Sequence, residues 1–126
     1  MSEIRALVVD DSAVMRKIVE RSLRQAGLES LVIFEAGSGM EGLDVLRSNQ
    51  VDIILSDINM PVMDGLEFVR QLRGQKLGNG VPVVMITTES SEDHVRQAIE
   101  AGATGYIRKP FTADQMKRRV LSLLAA

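Results

Sequence analysis

Five short runs of β-branched and other apolar residues recur along the chain, at positions 4–9, 31–34, 51–55, 82–86 and, most weakly, 105–107. Between and after them the apolar residues change to helical spacing: Met15, Ile18, Val19 and Leu23; Leu43 and Leu46; Leu66, Val69 and Leu72; Val95, Ala98 and Ile99; Met116, Val120, Leu123 and Leu124. A short apolar run bounded by turn residues predicts a strand, and a stripe recurring every three or four residues predicts a helix with one face turned inward. The chain therefore predicts five strand-helix units. Its strands are close to continuous in apolar residues and do not alternate, as burial on both faces requires, so the expected fold is α/β, a parallel sheet between two layers of helices. Breakers fall between the units, at Gly27, Gly37, Gly65, the loop 74–80, Gly102 and Pro110.

Composition narrows the function classes. A chain of 126 residues fits one domain spanning 1–126. With 15 basic and 17 acidic residues it has no general field to attract nucleic acid or an anionic membrane, so binding is expected at a local site. The absence of cysteine excludes disulfides, thiolate ligands and thiol nucleophiles, and is compatible with a cytoplasmic location. Neither the first ten residues nor the stretch 81–86 has the apolar length of a signal peptide or a membrane span, which predicts a soluble protein.

In an open parallel sheet, ligands bind beyond the carboxyl ends of the strands. Four of the five predicted strands end there in a reactive or ionic group: Asp10 and Asp11, Asp57, Thr87 and Thr88, and Lys109. Two like charges about 4 Å apart cost about 4 kcal/mol at an effective dielectric near 20, so converging carboxylates need a cation. Lys109 supplies one charge, and Mg²⁺, a hard ion held by one or two carboxylates together with water and phosphate oxygens, suits the remainder. Beside such an ion an ionised aspartate can attack phosphorus, and Thr87 can hydrogen-bond a transferring oxygen. Taken singly the groups have plainer explanations. Asp11 or Ser12 can cap the first helix, Lys109 can be a solvated surface residue, and Tyr106 can be a ring packed at the sheet edge with its hydroxyl in water.

The segments VVDDS at 8–12, SDINMPVMDG at 56–65, MITTE at 85–89 and GYIRKPF at 105–111 together resemble the receiver domain of bacterial response regulators, above all its chemotaxis members. The resemblance covers practically the whole chain. It implies a flavodoxin-like strand order 2-1-3-4-5, Asp57 as phosphoacceptor, and Mg²⁺ bound by Asp11, Asp57 and the carbonyl of Asn59, with Asp10 acting through water. It implies Lys109 against the phosphoryl group, a cis Lys109–Pro110 bond, and Thr87 and Tyr106 as a coupled switch. Asn59 and Glu89 are implied to tune attack by water. Thr88 departs from the alanine or glycine common in relatives and adds bulk beside the phosphoryl group. The implied phosphodonor is a sensor histidine kinase. The implied target is a protein bound through the fourth helix, fifth strand and fifth helix, where this chain carries His94, Arg96, Arg108, Lys117, Arg118 and Arg119. Chemotaxis members have acids at two positions that are Lys117 and Arg118 here. A motility switch, monomeric and with no direct contact to nucleic acid or membrane, is the leading expectation. A phosphorelay intermediate, a phosphate sink or a receiver excised from a larger regulator are the alternatives.

Gly37, Gly39 and Gly42 fit G-x-G-x-x-G, with Asp57 about 20 residues on, which is the signal of an NAD-binding oxidoreductase. The chain is too short for two mononucleotide-binding halves, and the glycines are expected to serve a turn and close packing of the second helix. A flavin carrier is disfavoured because Asp10 and Asp11 would repel the flavin phosphate. An aspartate-nucleophile phosphatase requires a second acid two residues after the nucleophile, where this chain has Ser12 and Asn59.

Overall fold

Each predicted strand-helix unit is present in the computed structural model, which describes residues 3–28, 30–78, 80–88 and 92–124, with side chains described for all of these except 92 and 94. The elements follow the order β1 (Ile4–Val9), α1 (Ala13–Gln25), β2 (Leu31–Ala36), α2 (Gly39–Ser48), β3 (Ile53–Asp57), α3 (Gly65–Gly74), β4 (Val83–Thr87), α4 (Glu92–Ala101), β5 (Gly105–Arg108) and α5 (Ala113–Leu124). The strands form one parallel sheet in the order β2-β1-β3-β4-β5.

Because successive strand residues point to opposite faces, each strand contributes to two cores. Leu7, Val9, Ile54, Val83 and Met85 pack with Leu43, Phe68, Val69, Leu72 and Ala98 of α2, α3 and α4. Ala6, Val8, Ile53, Leu55, Val84, Ile86 and Ile107 pack with Val19, Leu23, Met116 and Val120 of α1 and α5. Three layers follow from this alternation; β3, β4 and β1 from Ala6 onward are buried on both sides as expected, whereas the edge strands β2 and β5 are mostly half-buried or exposed.

Two strands sit later than the apolar runs suggest. The third run begins at Val51, yet the strand is Ile53–Asp57, and the fourth begins at Pro82, yet the strand is Val83–Thr87. Pairing is a backbone property, so the ladder continues through the polar residues Ser56 and Asp57, the latter opposite Ile86. Proline has no N–H to donate to a ladder, and Pro82 contributes only its carbonyl, which accepts from Ile54 N at 3.0 Å. Two of the helix positions predicted to face inward turn outward instead. Ile18 is exposed while Val19, Ser22 and Leu23 are buried in α1, and Ile99 is exposed while Ala98 is buried. At 100° per residue each lies just beyond the arc that the sheet covers.

The glycine motif serves packing. A Cβ on Gly39 would lie 2.6 Å from Met63 Sδ and one on Gly42 2.8 Å from Phe68 Cε1, so the two glycines let α2 approach its neighbours. Ser38 caps α2, accepting from Glu41 N at 3.1 Å. This loop follows β2 at the sheet edge, not the central gap where the strand order reverses.

Candidate functional site

That reversal lies between β1 and β3, which are adjacent and parallel, with Val9 opposite Ser56. The turn after β1 and the end of β3 therefore open onto one crevice, and oxygen atoms of Asp10, Asp11 and Asp57 lie within 4.8 Å of one another. Asp57 is the last residue of β3 and buried; Asp10 is buried in the β1–α1 turn; Asp11, beside it, is exposed. Ser12, not Asp11, caps α1: its hydroxyl accepts from Met15 N at 3.2 Å. The capping role proposed for Asp11 is thus filled, and its carboxylate faces the cluster.

Lys109 reaches the cluster from the carboxyl end of β5, two strands from β3. Its Nζ lies 3.5 Å from Asp57 Oδ1 and 3.7 Å from Asp10 Oδ2, with its side chain 18 % exposed. The Lys109 N–H donates to Thr87 O at 2.7 Å, continuing the β4–β5 ladder past the end of β5, and the Lys109–Pro110 bond is cis. Burial, then the carboxylates of Asp57 and Asp11, push the Asp10 carboxyl above its ordinary range, against the Ser12 N–H and the Lys109 charge. Ser12 N donates to Asp10 Oδ1 at 2.9 Å. Asn59 N donates to Asp57 Oδ1 across a long 3.4 Å.

Three carboxylates around one ammonium leave an excess of two negative charges when all are ionised. A set made wholly of hard oxygen donors with that excess suits a divalent cation such as Mg²⁺, and Asp10, Asp11 and Asp57 are the residues that would hold it.

Three of the remaining predicted residues lie on the adjoining strand end and loops. Thr87 is buried at the end of β4, one strand across from Asp57; Thr88 and Asn59 are exposed in the adjoining loops. Glu89 lies outside the described residues, as does the side chain of His94. Tyr106 stands on β5, 37 % exposed as a residue, with the Arg119 guanidinium 5.9 Å from its ring centroid. Arg119 also lines an open groove of about 640 Å³ with Tyr106, Arg108, Pro110, Gln115 and Arg118. None of the three clustered aspartates lines that groove. Arg96 pairs with Asp93 on α4.

Two contributors were given no role in the site by the sequence patterns. Arg16 Nη1 donates to the main-chain oxygen of Asp10 at 2.7 Å while Arg16 Nε donates to Glu35 Oε1 at 3.0 Å. A Cβ on Gly65 would collide with the main-chain oxygen of Asp57, so α3 can start against the end of β3 only because residue 65 has no side chain. The Gly65 signal was present in the D-G pair that ends the second motif, SDINMPVMDG. Arg16 had none, because its carboxylate partner is 19 residues away.

Comparisons with known proteins agree with this geometry. Residues 6–121 match the response regulator receiver domain family. A chemotaxis protein CheY homolog of Campylobacter jejuni is 38 % identical over 122 residues, 96 % of this chain and 92 % of that protein. The chemotaxis protein CheY4 of Vibrio cholerae superposes with a TM-score of 0.87 at 34 % identity, covering 97 % and 99 % of the two chains. The receiver domain of the Pseudomonas aeruginosa sensor histidine kinase PA1611, whose structure has a magnesium ion coordinated in the active-site cleft, gives 0.86 at 25 % identity over 99 % and 100 %. With the doubly wound sheet, the carboxylate trio and a family match across nearly its whole length, the chain belongs to the response-regulator receiver domains, the signalling switches of two-component systems.

Proposed function

We propose that this receiver is a Mg²⁺-dependent phosphorylation switch in which Asp57 accepts the phosphoryl group and a sensor histidine kinase supplies it. The observation that carries this reading is the gathering of the Asp10, Asp11 and Asp57 carboxylates within 4.8 Å, facing Lys109. A carboxylate oxygen of Asp57 attacks the phosphorus of a phosphohistidine. The O–P bond forms as the P–N bond breaks, and the electron pair of the broken bond stays on the imidazole nitrogen. Asp10, Asp11 and Asp57 would hold Mg²⁺, which when bound would neutralise charge on the phosphoryl oxygens. The Lys109 ammonium exchanges its carboxylate partner for a phosphoryl oxygen, and the Thr87 hydroxyl donates to another. Water later attacks the phosphorus, returning the Asp57 carboxylate and inorganic phosphate. Asn59 and Thr88 border the path of that water and, with Glu89 as the family resemblance implies, set the lifetime.

The signal leaves through Thr87 and Tyr106. Movement of the threonine toward the phosphoryl group vacates space into which the ring, exposed here, turns. The face made by α4, β5 and α5, with the groove lined by Arg108, Arg118 and Arg119, then presents a different surface to a protein target. The chemotaxis relatives support a target in motility control. Intact-mass measurement after incubation with acetyl phosphate and Mg²⁺ tests the reading. The parent gains one phosphoryl group and Asp57→Asn gains none; equal incorporation by both would overturn the assignment.

A further inference from the structure

Asp10 carries the raised carboxyl of the acidic cluster, and the structure holds it from three sides. Its N–H donates to Ala36 O at 3.1 Å, extending the β1–β2 ladder, and its Oδ1 accepts from Ser12 N at 2.9 Å. Its carbonyl accepts from Arg16 Nη1 at 2.7 Å, and the same guanidinium donates from Nε to Glu35 Oε1 at 3.0 Å. Glu35 Oε2 is in turn taken by Lys17 Nζ at 2.9 Å. One planar group thus ties the first turns of α1 to the ends of both β1 and β2, with its side chain only 18 % exposed. Such a contact does not touch the cation or the phosphoryl group. It sets the direction in which the Asp10–Asp11 turn leaves β1, and therefore where two of the three carboxylates stand.

We propose that Arg16 is a positioning residue for the cation site, fixing the Asp10–Asp11 turn so that both carboxylates face Asp57; this rests on the Mg²⁺ reading given above. Outer partners that orient metal-binding carboxylates typically change metal affinity by about 10- to 100-fold when removed. Electrostatics and positioning here predict opposite signs. Removing a positive charge near an acidic cluster, by itself, tightens divalent-cation binding. Losing the clasp weakens it. Lysine keeps the charge but not the planar fork that reaches two acceptors, so Arg16→Lys separates geometry from charge.

The test is Mg²⁺ titration calorimetry on the folded parent, Arg16→Lys, Arg16→Met and Arg24→Met, with urea unfolding of each. Arg24 lies on the same helix, paired with Glu20, and controls for lost charge on α1. Arg16→Met is expected to weaken Mg²⁺ about tenfold and Arg16→Lys by a smaller factor, with Arg24→Met unchanged. Acetyl phosphate incorporation in Arg16→Met should need more Mg²⁺ for half its maximal rate yet reach the parent maximum. Equal or tighter Mg²⁺ binding by Arg16→Met, or a drop in urea midpoint with unchanged Mg²⁺ affinity, would overturn the positioning role. Absence of saturable Mg²⁺ binding in the parent would instead overturn the cation site itself.

Discussion

Alanine at Gly65 places a methyl carbon inside contact distance of the Asp57 main-chain oxygen and 2.8 Å from both Ile58 Cα and Met85 Cε. Ordinary contact begins at 3.4 Å, so the two carbons alone demand a shift of about 0.6 Å, and the collision with the main-chain oxygen demands more. Met85 can rotate away; the backbone of residues 57 and 58 cannot. Overpacking of this kind costs about 1–3 kcal/mol. The shift also endangers the hydrogen bond from Gly65 N to Ile58 O, 2.7 Å long, and stranding such a carbonyl costs about 1–3 kcal/mol more. Gly65→Ala is therefore expected to lose about 2–6 kcal/mol, a fall in Tm of roughly 8–24 °C for a domain of this size. Because the displaced carbonyl is that of the proposed phosphoacceptor, phosphorylation by acetyl phosphate should also slow. Gly74, at the other end of the same helix, has nothing within 4 Å of a built Cβ and no positive φ. Gly74→Ala should gain about 0.4–1 kcal/mol by restricting the unfolded chain, with phosphorylation unchanged. The chain contains no tryptophan, so urea unfolding followed by far-ultraviolet circular dichroism is the suitable assay. A Gly65→Ala stability within about 0.5 kcal/mol of the parent would refute the steric reasoning. So would an equal loss from Gly74→Ala.

Three further outcomes are expected. Arg73 donates to the carbonyls of Gly78, Val81 and Gly102, at 3.3, 2.8 and 3.1 Å for its nearest contacts, and burial pushes its pKa down. Arg73→Met should strand those acceptors and cost roughly 2–4 kcal/mol in urea unfolding, with Arg73→Lys recovering less than half. Val62 is fully exposed at φ 68°, a left-handed conformation that β-branched residues resist, so Val62→Asn should stabilise the fold by about 1 kcal/mol in guanidinium unfolding. Hydrogen bonds from Lys17 and then Arg16 hold the Glu35 carboxyl below its ordinary 4.5. A depressed carboxyl contributes stability above its unfolded pKa and loses it as pH falls, so the stability gap between the parent and Glu35→Gln should be constant at pH 6–7 and close as the pH drops below about 4.5.

The division between sequence and tertiary structure can be read residue by residue. Apolar spacing was sufficient for the strand-helix alternation and both buried sheet faces, because solvent exclusion acts on each segment's own pattern. The motif residues Asp10, Asp11, Asp57, Thr87 and Lys109 were legible because open parallel sheets put strand ends at one edge. Local spacing did not place β3 beside β1, a neighbour the family resemblance implied and the fold bears out; it carries Asp57 to within 4.8 Å of residues nearly fifty positions earlier. The fold also chose Ser12 over Asp11 as the helix cap, turned Ile18 and Ile99 outward, and set Arg16 against the Asp10 carbonyl. These outcomes depend on distances between segments remote in the chain. A local pattern specifies which face of an element is buried, but the partner across the gap exists only once the sheet has closed.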